Sequence, residues 1–437
     1  MRKFLVHNFG CRATQADGAA LEGMLRKQGL EPVAANADAD LVILNTCTVT
    51  ATADDEVRQV TRRVHRENPE ARILVTGCYA QRAPEQLAAL PGVHWVVGNS
   101  HKIRIPDLVA ANAPYHGQIH VGDIFAQQEL LTAPVEDAAG DRSRPNLKIQ
   151  DGCNNRCSFC IIPSVRGRSR SASIESAVSQ VRQLAVRYKE IVLSGINLGR
   201  WGRDLEGRMR LADLVRLLLS ETDVARLRLS SVEPMDFSDD LLRLMADSPR
   251  IARHVHAPLQ SGSDTVLRRM RRKYRPRHYE DRIRKAREWM PDAAIGADVM
   301  VGFTGETAAE FEESRRFIES LPFTYLHVFT YSERPGTEAA AMEGQVPMPV
   351  RKQRNKVLRD LAAAKNAAFR RTFLGKSLSA VTMDGGRTAL THNYLRIELE
   401  QPRQENQILD IPIGVLTPNG LREASLFPVL DTNRILA

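Results

Sequence analysis

All the cysteine chemistry of this chain is concentrated in six residues that fall into two groups of three. Cys153, Cys157 and Cys160 lie in one short run, Asp151-Gly152-Cys153-Asn154-Asn155-Arg156-Cys157-Ser158-Phe159-Cys160, and Cys11, Cys47 and Cys78 each follow an apolar run near the N-terminus. The C-x3-C-x2-C spacing allows three thiolates to cap three corners of a cubic iron-sulfur cluster. Such clusters are normally held by four thiolates, so the fourth iron would be open to an exogenous ligand and to chemistry. A structural zinc site would need a fourth Cys or His at a typical spacing, and the nearest downstream histidines, His254 and His256, are remote. Three plus three suggests two cysteine-held metal sites.

These residues need elements to position them. Over the first hundred residues, Lys3–Asn8, 40–45, 72–76 and 94–97 read as short buried strands. Helical patterns near 15–28, Ala51–Glu67 and 84–89 alternate with them, which predicts a doubly wound parallel-sheet domain. Cys11, Cys47 and Cys78 then occupy loops just after strands, at the carboxyl edge where such sheets bind ligands. The alternative is that small buried cysteines simply pack strand ends.

A polar, strand-poor stretch at 126–145 reads as a linker. Six further strands follow in βα alternation, at 148–150, 190–194, 226–230, 254–257, Ala294–Val301 and 325–329. They predict a partial (βα)6 barrel with the three-cysteine loop after its first strand. A charged helix from about 351 to 373 precedes strand signals at 377–382, 394–398, 407–411 and 414–421, expected to form a small C-terminal antiparallel β-barrel. The expected domains are therefore 1–125, 146–373 and 374–437, with 126–145 between them, and the fold class is α/β.

Several loops at strand ends carry polar groups. Gly195 and Asn197 could hold an amino or carboxylate group or form a plain turn. Ser230, Ser231 and Glu233 could meet a ribose or cap a loop. His256, Gln260, Ser261 and Ser263, and the stretch 301–307, are ligand loops or tight barrel turns. The run from Arg268 to Arg277, including Arg271, Arg272 and Lys273, has seven Lys or Arg in ten positions. It is read as a phosphate track that helix pairing does not neutralise locally, with a solvated face as the alternative. Arg166, Arg168 and Arg170, just beyond the cysteine loop, place further cations beside the chemistry or neutralise the metal centre and the carboxylates near it.

With 437 residues, two or three domains are expected. Net charge is +9, from 61 Lys and Arg against 52 Asp and Glu, with a pI near 9.4. That balance suits a polyanionic partner or an ordinary basic protein. No run approaches the ~18 apolar residues of a membrane span, and no signal-peptide core follows Met1. A reducing cytoplasmic address, with thiols kept for metal, is the expectation.

Together these residues resemble the methylthiotransferase family of radical S-adenosylmethionine enzymes. The matching stretches are 45–50 (Asn-Thr-Cys-Thr-Val-Thr), 75–81, 150–163 with Arg166-Gly167, 256–263 and 301–307. Within the family, 45–50, 150–154 and 327–332 leading into Pro335-Gly336-Thr337 are most similar to the branch that acts on N6-threonylcarbamoyladenosine at position 37 of tRNA. Sister branches act on isopentenyladenosine in tRNA or on ribosomal protein S12. The family's Gly-Cys-x-x-Asn reads here Gly10-Cys11-Arg12-Ala13-Thr14.

The resemblance implies a radical S-adenosylmethionine barrel and a C-terminal RNA-binding TRAM domain. It implies two 4Fe-4S clusters, with Cys153, Cys157 and Cys160 holding the one that binds S-adenosylmethionine, and Cys11, Cys47 and Cys78 holding an auxiliary one. Phe159, Gly195, Asn197, Ser230, Glu233 and Gln260 would contact S-adenosylmethionine, and Arg268, Arg271, Arg272 and Lys273 the RNA. The implied partners are the tRNA anticodon stem-loop and an electron donor such as flavodoxin or ferredoxin, for a monomeric enzyme.

Overall fold

The computed structural model describes residues 1–111, 116–127, 130 and 143–425, so most of the expected linker lies outside the described residues. The N-terminal sheet is entirely parallel, in the order Glu31–Pro32, Lys3–Asn8, Leu41–Thr46, Arg72–Gly77, Val93–Gly98, Gln118–His120. Its central strand, Leu41–Thr46, is buried at every residue, as a strand covered by helices on both faces must be. Val42 and Leu44 join one core with Val57 and Val64 of the helix Ala51–Glu67. Leu41 and Ile43 join the other, with Leu21 and Leu25 of the helix Arg12–Lys27. The doubly wound expectation holds.

Two edge strands were not anticipated, because each is only two or three residues long and carries no alternation to read. Pro32 is tolerated in one of them because an edge strand can spare a donor. A short helix, Cys78–Arg82, also escaped the periodicity. Gly77 opens it at φ +97, and a Cβ there would lie 2.4 Å from the carbonyl oxygen of Thr46, so only glycine can make this turn.

Six parallel strands build the central region: Asn146–Asp151, Glu190–Gly195, Arg226–Leu229, His254–His256, Ala294–Val301 and Tyr325–Thr330. They form two hydrogen-bonded sheets joined by a single parallel bridge, Leu227 to Ile251. Strand alternation sorts the side chains. Leu147, Ile149, Ile191, Leu193, Leu227, Leu229, Val255, Ile295 and Val299 pack outward into one large core under the helices. The intervening Lys148, Gln150, Glu190, Arg228, His254 and His256 are buried polar residues, so the concave face of the partial barrel is polar. Fully buried Glu190 is held there by Arg228 Nε at 2.7 Å and Arg144 at 3.0 Å. Burial opposes its ionisation, yet Arg228, Arg144 and Arg226 lower its pKa to about 2.

The C-terminal strands Ser377–Met383, Thr388–Thr391, Arg396–Glu398, Leu421–Glu423 and Ile408–Leu416 close into a barrel in that order. Four of the five pairings are antiparallel and one, Arg396–Glu398 with Leu421–Glu423, is parallel. The expected strands at 407–411 and 414–421 are not separate elements. Gly414 sits inside one long strand at a register shift, where a bulge absorbs it. The strand Thr388–Thr391 was missed, and Tyr394 lies outside its expected strand at φ 65.

The C-terminal barrel docks at the amino ends of the central strands. Arg228 donates to the carbonyl oxygens of Thr391 and His392, and Asn393 donates to that of Asp292. Tyr394 stacks on buried His254, with ring centroids 4.2 Å apart, and so closes the floor of the partial barrel. Arg12 of the first helix reaches the Tyr394 hydroxyl at 3.3 Å, so one tyrosine touches all three regions.

Candidate metal and ligand centre

Cys11, Cys47 and Cys78 follow three neighbouring strands of the N-terminal sheet, and the sheet order brings them together. A Cβ on Gly10 would lie 2.6 Å from Cys47 Cβ and 3.0 Å from its Sγ, so the first loop brushes the second cysteine. Burial, then the proximity of Cys78 and Cys11, pushes the Cys47 thiol up to about 12. Three thiols gathered at one sheet edge are arranged to share a polynuclear metal centre.

Polar groups converge on these sulfurs. Arg166 donates from Nε to Cys78 Sγ at 3.3 Å, and Asn99 from Nδ2 at 3.7 Å. Thr14, standing where the related pattern has Asn, is fully buried, lies 3.5 Å from Cys11 Sγ and accepts from Arg166 at 3.3 Å. The threonine therefore keeps a polar contact between first cysteine and arginine.

The second triad sits in the loop after Asn146–Asp151. Gln150 pins it by donating to the carbonyls of Asp151 and Gly152 at 2.8 Å, and the Cys153 amide donates to Gly167. A Cβ on Gly152, at φ +68, would lie 1.9 Å from the Arg168 carbonyl oxygen, so the loop requires glycine. Burial followed by Cys157 and Cys153 pushes the Cys160 thiol up to about 12, and burial also raises Cys153. Cys153 Sγ accepts from Asn197 Nδ2 at 3.6 Å, and Cys157 Sγ accepts from Arg272 at 3.3 Å. Asn197 also donates its amide to Gln150 at 2.6 Å.

Of the expected cofactor residues, Asn197 touches Cys153 directly and Glu233 reaches Cys157 through Arg272. Phe159 meets Phe303 edge-on at 6.3 Å. Gly195 ends its strand against Gln150, where a Cβ would come within 3.0 Å. Glu233 is ion-paired with Arg272. Gln260, at φ 64, hydrogen-bonds through its backbone to Asp298 and Met300. Asn197 Oδ1 and Ser230 Oγ are buried without hydrogen-bond partners among the described residues. An orphaned amide oxygen beside a thiol triad, that of Asn197, fits a polar ligand such as an amino acid or ribose. Asn154, Asn155, Asn197, Arg200, Arg203 and Lys273 line an adjoining cavity of about 150 Å³.

The basic run needs correction. Arg272 is only 7% exposed and is spent on Glu233 and Cys157, so it belongs to the cysteine loop and cannot face a phosphate backbone. Arg268 and Arg275 pair with Asp264, Arg269 with Glu310, and Arg271 with Glu338. Asp264, one helical turn before Arg268, and the more distant Glu310 and Glu338 thus neutralise most of a run that looked unpaired. Lys273 remains exposed with no carboxylate partner among the described residues.

Sequence reading weighed Arg166 as a neutraliser of the metal centre and its nearby carboxylates but missed the charge network by which it joins the triads. Arg166 bonds Asp151, two residues before Cys153, at 3.0 and 3.1 Å, and Asp17 at 3.2 Å. Lys148 pairs with both aspartates and Lys102 with Asp17. Burial opposes charge on Asp17, but Lys102, Lys148 and Arg166 overcome it and hold the carboxyl well below its usual range. The only advance signal was the placement of lysine and aspartate inside otherwise apolar elements.

A family model described as Radical SAM superfamily matches residues 147–318, and one described as Uncharacterized protein family UPF0004 matches residues 3–98. The chain is 41% identical to the threonylcarbamoyladenosine tRNA methylthiotransferase MtaB of Bacillus subtilis, across 80% of this chain and 77% of that one. It is 35% identical to the protein of that name from Aquifex aeolicus, across 94% and 100%. It is 33% identical to the tRNA-2-methylthio-N(6)-dimethylallyladenosine synthase of Saccharopolyspora erythraea, across 88% and 79%. Among solved structures, the radical S-adenosylmethionine methyltransferase TsrM of Kitasatospora setae shares the fold, with a TM-score of 0.56, 16% identity and coverage of 78% and 77%. Relatives this similar over most of both lengths place the chain in the radical S-adenosylmethionine methylthiotransferase family, within its threonylcarbamoyladenosine tRNA branch.

Proposed function

We propose that the chain is a tRNA methylthiotransferase that places a methylthio group on C2 of N6-threonylcarbamoyladenosine at position 37, beside the anticodon. The observation that carries this reading is the pair of three-cysteine sets held to one another through Arg166, which touches Cys78 directly and the Cys153 loop through Asp151. Two 4Fe-4S clusters with S-adenosylmethionine would supply a carbon radical able to take hydrogen from C2, a sulfur atom and a methyl group.

The chain's own residues bind and orient. Cys153, Cys157 and Cys160 hold the cluster that takes S-adenosylmethionine, and Cys11, Cys47 and Cys78 the auxiliary one. Phe159, Gly195, Asn197, Ser230, Glu233 and Gln260 surround the S-adenosylmethionine site, with Asn197 and Ser230 offering unspent polar atoms to it. Arg272 steadies Cys157 and Glu233. Lys273 remains at the surface as the phosphate contact, beside Arg268 and Arg271 that are already paired with Asp264 and Glu338, and the C-terminal barrel serves as the TRAM RNA-binding module. Among the described residues no helix is long and apolar enough to cross a membrane. The enzyme works in the cytoplasm as a monomer, with reducing equivalents from a flavodoxin or ferredoxin.

The test is mass spectrometry of tRNA nucleosides from cells lacking the chain, with and without complementation. Loss of 2-methylthio-N6-threonylcarbamoyladenosine, restored by the wild type but not by Cys157→Ala, is expected. An unchanged profile overturns the reading and turns attention to ribosomal protein S12. Loss of the isopentenyladenosine product would assign the chain to the sister tRNA activity.

A further inference from the structure

One cluster inside the partial barrel has no part in holding the thiol loops. His256, Asp298 and His327 lie on three adjacent strands, with their ligating atoms within 4.8 Å of one another. His256 Nε2 is 3.4 Å from Asp298 Oδ1, and His327 Nδ1 is 3.2 Å from the same oxygen. Ser231 Oγ lies 2.7 Å from the other His256 nitrogen and sets the ring's orientation. His256 is only 6% exposed, yet its Nε2 has no well-aligned hydrogen bond, so a buried polar atom aims into this space with capacity unspent.

The surroundings are aromatic. Tyr325 lies nearly parallel to His256, at 16° with centroids 5.9 Å apart. Gly296 makes room for that ring, since a Cβ there would fall 1.9 Å from it. Burial decreases along the interior face of the last strand: Tyr325 is half-buried, while His327 and Phe329 are exposed on the side chain or residue at 51% and 48%. The concave face is therefore closed at its floor by Tyr394 and open at its rim. The cluster lies next to the reaction centre, because the loop after Arg226–Leu229 carries both Ser231, on His256, and Glu233, on the arginine that touches Cys157.

We propose that His256, Asp298 and His327, with Ser231, Tyr325 and Phe329, form the subsite that receives the target nucleobase, swung out of the RNA stack into the barrel. The inference rests on the tRNA methylthiotransferase reading and names the side chains that read the base. Flat rings and a few convergent polar atoms are what an extruded base requires. Burial opposes charge on Asp298, but the hydrogen bond from His327 and the nearness of both imidazoles hold its carboxyl well below the usual carboxylate range. An ionised carboxylate accepts N–H groups and repels carboxylates. The N–H edge of the base, including that of the N6 substituent, faces Asp298, and the threonyl carboxylate points away from it. His256 Nε2 supplies the second polar contact. A divalent cation would also suit two imidazoles and a carboxylate. The ring stack and the opening at the strand edge favour a base.

The experiment uses the cluster-loaded enzyme, with tRNA carrying N6-threonylcarbamoyladenosine and the same tRNA lacking that modification. Asp298→Asn and His327→Ala are expected to raise KM for the modified tRNA roughly 10- to 100-fold, the scale of one charged hydrogen bond. They should also raise the ratio of 5'-deoxyadenosine to methylthiolated product. His327→Gln, a conservative change at an exposed edge-strand position, guards against misfolding and should be intermediate. Wild-type KM and coupling in all three variants would overturn the subsite. So would one equivalent of zinc in the wild type that His327→Ala loses, with X-ray absorption showing only nitrogen and oxygen ligands; that result would make the cluster a metal site. A wild type that modifies neither tRNA would instead overturn the function on which the proposal depends.

Discussion

The two cysteine triads solve one problem in opposite ways. Cys153, Cys157 and Cys160 are brought together by a single loop, pinned by Gln150 and by a glycine with no room for a side chain. Cys11, Cys47 and Cys78 meet only because three strands lie side by side in one parallel sheet. Yet each set ends with a buried arginine 3.3 Å from one sulfur, Arg272 on Cys157 and Arg166 on Cys78. The difference lies in what stands behind the arginine. Arg272 leans on the partly exposed Glu233, whereas Arg166 is locked between Asp17 and Asp151 at the junction of two domains. A local loop needs a local brace, and a site assembled by topology needs one that also fixes the domains.

The largest expected effect separates the triads by function. Cys157→Ala should abolish both 5'-deoxyadenosine and methylthiolated product. Cys47→Ala should abolish the methylthiolated product while 5'-deoxyadenosine still forms. Chromatographic assay of both species checks this, and a Cys47→Ala enzyme that no longer cleaves S-adenosylmethionine would show that the triads do not divide the work.

This contrast also explains what was legible in the sequence. The C-x3-C-x2-C loop carries its own geometry, so its role could be read directly. The spread triad was legible one step later, once alternating strands and helices predicted a parallel sheet whose loops share an edge. The full braces were not legible, because Asp17, Lys102 and the pair Lys148 and Asp151 of one strand come from three separate elements that meet only when two domains close on one another. Arg272 was misread for the same reason: within its run it looks like one cation of seven, and only the fold turns it inward. Short edge strands such as Glu31–Pro32 were lost because two residues show no period. The strand Ile408–Leu416 was read as two because Pro412, which has no N–H to give a ladder, interrupts its run.

Second in size is the difference between the braces. Arg166→Gln leaves Asp17 and Asp151 buried with less compensating charge, which typically costs about 3–5 kcal/mol. Arg272→Gln leaves Glu233 partly solvated and should cost about 1–3 kcal/mol. Thermal unfolding of the cluster-loaded variants should therefore show the larger drop in Tm for Arg166→Gln. Equal drops would mean that the interdomain network carries no extra load.

A pH experiment probes the barrel interior. Glu190 has its pKa depressed from 4.5 to about 2 in the folded chain, so the unfolded state binds the proton more readily. Its contribution is fully present above pH 4.5 and is lost as pH falls toward 2, a difference of about 3 kcal/mol at most. Glu190→Gln should unfold more easily than the wild type at pH 7, and the gap should narrow below pH 4.5. A gap constant over that range would show that Glu190 is not held ionised by Arg228.

The smallest effects test the corrected basic run. Exposed Lys273 has no carboxylate partner among the described residues, so Lys273→Ala should weaken tRNA binding several-fold and reduce the slope of log affinity against log salt by about 1. Arg268 already faces Asp264 at 2.9 Å one helical turn away. Bringing a phosphate to it means giving up or sharing that pair, and an exposed i,i+4 ion pair is worth only about 0.3–0.5 kcal/mol. Arg268→Ala should therefore change tRNA affinity less than Lys273→Ala and leave the salt slope nearly unaltered. Filter binding at two or more salt concentrations reads both variants, and a larger effect from Arg268 than from Lys273 would mean that RNA displaces the carboxylates and uses the whole run as its track.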